Sequence, residues 1–136
     1  MLRFRNLTRL RRIRVISALR LLRLAAWRYF EHFLIEIDEV AYRPGACGPG
    51  AVACTGIHLG RRAVLSMDPL SMDLIELAVT LSHESRHHYT TERGRHLIRL
   101  LTCRDCSDPA ERNTDPIYRS DEALRRRLRR AMRRRA

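Results

Sequence analysis

His83 and His87 stand four residues apart, with Glu84 directly after the first, in the run His83-Glu84-Ser85-Arg86-His87. On a helix, positions i and i+4 share a face. Both imidazoles can then meet one divalent cation such as Zn²⁺, while Glu84, about 100° around the helix, reaches a water on that cation. A carboxylate so placed can act as a general base, and a neutral imidazole nitrogen is the commonest metal donor. The chemistry depends on the stretch being helical.

The flanking sequence predicts a helix. Asp68 and Pro69 pair as N-cap and first helical residue, and Leu70, Leu74, Leu77, Ala78 and Leu81 recur at spacings of three and four. Gly94 is the first stop signal, so the expected helix runs from about 69 to about 91. Before it, residues 57–65 (Ile57-His58-Leu59-Gly60-Arg61-Arg62-Ala63-Val64-Leu65) look like a strand or a short hairpin turning near Gly60.

On those residues, 57–91, the chain resembles the active-site strand and helix of the zincin superfamily of metallopeptidases, in a minimal single-domain form. The resemblance covers about a quarter of the chain. It implies that His83 and His87 bind zinc, that Glu84 is general base and proton shuttle, and that the reaction is peptide-bond hydrolysis on a peptide or protein substrate. The longer metzincin pattern is excluded, because Thr90 and Arg93 stand where it needs Gly and His.

A third ligand must come from later in the chain, from among His96, Glu111, Asp115, Asp121 and Glu122. Asp115-Pro116 opens another expected helix, in which Ile117, Leu124, Leu128 and Met132 form one stripe and Asp121 falls between Ile117 and Leu124. A carboxylate facing a core is costly unless paired or metal-bound, which makes Asp121 the first choice. Glu122, on the neighbouring face, is closer in residue type to the gluzincin arrangement and is the alternative. Arg86 is expected to point to solvent, His88 to sit beside the site or in water, and His32 and His58 to be structural.

The four cysteines form local pairs, Cys47 with Cys54 and Cys103 with Cys106. A structural zinc site and disulfides are both compatible with that spacing, and free thiols are the third possibility.

A length of 136 residues permits one domain with one modest core. The net charge of +12 belongs to the ends: residues 1–28 carry nine Arg and no acid, residues 120–136 eight Arg against Asp121 and Glu122, and residues 29–119 ten Arg against 13 acids. All the basic residues are Arg. Three regions follow: a basic amphipathic helix over 1–40, a zincin-like metal-binding core over 41–119, and an Arg-rich C-terminal helix or tail over 120–136 carrying the candidate third ligand.

In the first region Leu7, Leu10, Ile13, Ile16, Leu19, Leu22, Ala26, Phe30, Phe33 and Ile37 supply a stripe expected to pack on the core. The Arg-rich ends suit a nucleic acid or an anionic surface only if the arginines face a polyanion; otherwise they are a solvated face. No uncharged run is long enough for a membrane span, and Arg20 and Arg23 interrupt the one stretch resembling a signal peptide, so the expected compartment is the cytoplasm.

The expected fold is α+β, mainly helical, a zincin-like active-site helix with a small strand or hairpin flanking a cleft. The expected function is zinc-dependent peptide hydrolysis. The alternatives are a catalytically inactive zincin-like binding module, an Arg-rich nucleic-acid- or ribosome-associated protein, or a toxin-like effector.

Overall fold

The computed structural model describes residues 2–43, 53–56, 63–86 and 116–135, with the side chains of 54–56, 63–66 and 116–118 left aside. In chain order the elements are β1 (Arg3–Arg5), α1 (Arg9–Ala25), α2 (Trp27–Glu36), β2 (Ile37–Ala41), β3 (Ala53–Gly56), β4 (Ala63–Met67), α3 (Leu74–Arg86) and α4 (Pro116–Arg135). The fold is α+β and mainly helical, as the sequence implies.

The strands form one mixed sheet in the order β1-β2-β4-β3. β1 and β4 flank β2 in parallel, and β3 pairs antiparallel with β4, Thr55 opposite Leu65. β4 overlaps the end of the 57–65 span expected as a strand or hairpin, but its antiparallel partner β3 lies before that span, and residues 57–62, which include Gly60, fall outside the described residues.

The first 40 residues are not one helix. Asn6, with φ 58°, turns the chain out of β1, a left-handed conformation that asparagine tolerates. Thr8 caps α1 by accepting a hydrogen bond from the Arg11 amide at 3.3 Å. At Ala26 the backbone leaves the helical region (φ −154°, ψ 63°), separating α1 from α2, and the chain then enters β2.

The predicted stripe fails in α1 for a geometric reason. Leu7, Leu10, Ile13, Ile16, Leu19 and Leu22 repeat every three residues, and each such step falls about 60° short of a full turn, so the series winds around the helix. Leu19 and Leu22 are buried, together with Val15 and Ala18, whereas Leu10, Ile13 and Ile16 are exposed. Ala26, Phe33 and Ile37 are buried as expected.

α3 also begins later than the Asp68-Pro69 signal suggests. Asp68 instead closes a turn: its side chain accepts from the Leu70 amide at 3.0 Å and its carbonyl from the Ser71 hydroxyl at 2.7 Å. The N-cap is Asp73, whose carboxylate accepts from the Glu76 amide at 2.8 Å and whose carbonyl takes the first helical bond, from Leu77. Two capping-type aspartates compete here, and α1 decides between them. Arg11 holds Asp68 at 3.1 Å while stacking on the Tyr42 ring, and Arg14 donates to the Met72 carbonyl at 2.7 Å.

The Asp68 carboxyl titrates below its usual 3.8, because the Leu70 amide and the Arg11 guanidinium outweigh the opposing effect of burial. A carboxylate with a depressed folded-state pKa stabilises the fold above its unfolded value and loses that contribution as pH falls. Asp68→Asn should therefore lower the melting temperature at pH 7, with the difference from wild type shrinking as pH falls through about 4 in a thermal titration.

Leu77, Ala78 and Leu81 of α3 and Leu124 and Leu128 of α4 meet Val15, Leu19 and Leu22 of α1 and Phe33 of α2 in one core. Met132, expected on the α4 stripe, is exposed, and the side chain of Ile117 lies outside the described residues. Arg125 of α4 forks onto both oxygens of Glu76 and also reaches Glu122 at 2.7 Å, tying α4 to the start of α3.

Candidate active site

The motif falls on the last turn of the described part of α3, which ends at Arg86; His87 lies just beyond. His83 and Arg86 are one turn apart on one face, and α4 crosses that face so that Asp121 sits between them. Asp121 Oδ2 lies 2.5 Å from His83 Nδ1, and Asp121 Oδ1 accepts from the Arg86 guanidinium. The Asp121 carboxylate, 6% exposed, thus has both oxygens engaged by α3.

This arrangement fixes the imidazole. A carboxylate accepts, so Nδ1 carries the proton, and in the neutral imidazole Nε2 is then the nitrogen with a lone pair to offer a metal. A histidine whose outer nitrogen is tied to a carboxylate is the usual state of a metal-ligating imidazole, and here the carboxylate comes from another helix.

Arg86 does not point to solvent. It is 4% exposed, and besides Asp121 it donates to the Ser120 hydroxyl at 2.7 Å and the Ser82 carbonyl at 3.3 Å, with the Tyr29 ring 5.3 Å from its guanidinium carbon. The buried Asp121 needs a positive partner, and Arg86 supplies it from the i+3 position relative to His83. That spacing was the signal available in the sequence.

Glu84 is buried at 6% exposure. Burial pushes its carboxyl above the ordinary 4.5; the charge of Asp121 adds to the rise and His83 opposes it. A carboxyl raised by desolvation beside a histidine is better suited to taking and returning a proton than an ordinary surface carboxylate.

No known protein family, curated protein or solved structure matches the chain. The site therefore rests on its own geometry.

The other candidates divide clearly. Glu122 is exposed and pairs with Arg125. His58, His87, His88, His96, Glu111, Asp115, Cys47, Cys103 and Cys106 lie outside the described residues, as does the side chain of Cys54 in β3. His32 is half-buried on α2. Among the described residues there is no group of three His, Cys, Asp or Glu side chains able to hold a metal ion. Any complete donor set must draw on residues beyond them.

Proposed function

We propose that the chain is a zinc-dependent peptide hydrolase, in which His83 and His87 hold the metal and Glu84 is the general base. The observation that carries this reading is the His83–Asp121 contact. It holds the ring by Nδ1, as a carboxylate does for a metal-ligating imidazole, next to a buried carboxyl with a raised pKa in an H-E-x-x-H run.

Zinc would polarise the scissile carbonyl and acidify the attacking water. Glu84 takes the proton of that water and delivers it to the departing amine. With one oxygen on His83 and the other on Arg86, Asp121 would serve to orient His83 for the metal. The third donor then comes from residues 87–115, where His96, Glu111 and Asp115 lie. β3 ends the sheet among the described residues and α3 packs against it.

The test is metal content. Purified protein should carry zinc, and replacing both His83 and His87 by Ala should remove one equivalent as read by native mass spectrometry. Unchanged zinc in that variant would overturn the assignment. A binding module built on the same site would keep the metal and cleave nothing in a broad peptide library.

A further inference from the structure

We propose that the outer face of α1, its junction with α2 and the C-terminal half of α4 form one docking surface for an anionic lipid bilayer. Two independent features meet there, uncompensated arginine and exposed apolar side chains.

An open groove of about 610 Å³ runs between the end of α1 and α4, lined by Leu24, Arg127, Arg130, Arg134 and Arg135. A second depression of about 270 Å³ brings Arg20 beside Arg135 and Met132. Arg125, one turn earlier on α4, spends its charge on Glu76 and Glu122, but Arg127, Arg130, Arg134 and Arg135 form no ion pair among the described residues. Residues 1–28 have no acid, and residues 87–115 carry five Arg and five acids.

The same surface exposes large apolar groups. Leu10 and Trp27 are each 58% exposed, Leu24 55% and Ile13 48%. Leu10, Ile13 and Leu24 lie within about 60° of one another around α1, with Arg9, Arg12, Arg20 and Arg23 beside them. Trp27 follows at the start of α2, three residues after Leu24.

Phosphates alone would account for the arginines. A nucleic acid uses arginine and stacked aromatic rings, and three aliphatic side chains would gain nothing from it. A bilayer interface uses both features: guanidinium groups meet lipid phosphates while Leu, Ile and Trp enter the headgroup and upper acyl region. No helix among the described residues is long and apolar enough to cross a membrane, so the contact is one of lying on the surface.

Trp27 is the only tryptophan and reports directly on insertion. With phosphatidylcholine vesicles containing about 30% phosphatidylglycerol at about 0.15 M salt, the full chain should co-sediment, shift its emission to the blue and be quenched by brominated lipid. Pure phosphatidylcholine vesicles should leave it in solution. The exposed-site variant Ile13→Asn/Leu24→Asn, with every arginine kept and its circular dichroism unchanged, should partition at least about tenfold less and lose the blue shift. Arg127→Ser/Arg130→Ser/Arg134→Ser should also lose binding. Wild-type partitioning by the Asn variant with aqueous Trp27 emission would mean attraction by net charge only and would overturn the proposal. So would an oligonucleotide duplex that binds at the same salt and strips the protein from the vesicles.

Discussion

Glu84→Gln should abolish nearly all hydrolysis, lowering turnover by about 10²-fold or more, while zinc stays bound. The amide keeps the shape of the side chain but cannot accept the proton of the attacking water. Peptide cleavage and metal content measured on the same preparation separate this from loss of the site. A second readout has the opposite sign. Desolvation raises the Glu84 carboxyl, with Asp121 adding to the effect and His83 opposing it, so the folded state favours the neutral form. A group with a raised folded-state pKa stabilises the fold below its unfolded value and withdraws that contribution as pH rises through the folded one. In metal-free protein, therefore, Glu84→Gln should melt at a higher temperature than wild type at pH 7, and the gain should fade as pH falls towards about 4.5. A residue that costs stability and carries activity is what a general base in a buried site should be. If Glu84→Gln cleaves peptides as well as wild type, the enzymatic reading fails even with zinc in place.

The sequence disclosed the motif and the placing of Asp121 because both depend on local helical periodicity and on the cost of burying charge. Asp121 between Leu124 and the start of α4 had to face the core, and it does. What periodicity could not show was where each element stops. Asp68 and Asp73 are equally good capping residues, and the choice between them belongs to Arg11 and Arg14 on a helix some 57 residues earlier. A spacing of three in α1 similarly passes for amphipathicity over short windows, yet it places Leu10 and Ile13 opposite Val15 and Leu22. The division of residues 1–40 into β1, α1, α2 and β2 hangs on Asn6 and Ala26, neither of which is a strong breaker by type. The burial of Arg86 is not legible in the sequence because an arginine inside a helix is usually solvated, and the Asp121 carboxylate that balances its charge comes from α4.

Arg86 should accordingly be the position least tolerant of substitution in the site. Arg86→Met fits the volume and keeps packing on Tyr29, but it leaves the Asp121 carboxylate buried with His83 as its remaining partner and strips the donor from Ser120. Removing one member of a buried ion pair typically costs about 3–5 kcal/mol, a large part of the stability of a small domain. A denaturant titration should show a loss of that order. Arg86→Met/Asp121→Asn should recover much of it, because no charge is then stranded between α3 and α4. The metal should respond to the other residue. Asp121→Asn alone weakens the hold on His83 Nδ1, so zinc affinity should fall by about 10–100-fold without being lost, as expected for a group that orients a ligand. Complete loss of zinc in Asp121→Asn, with the fold intact, would make Asp121 a ligand itself. The contact with His83 Nδ1 would then have to break when the metal binds.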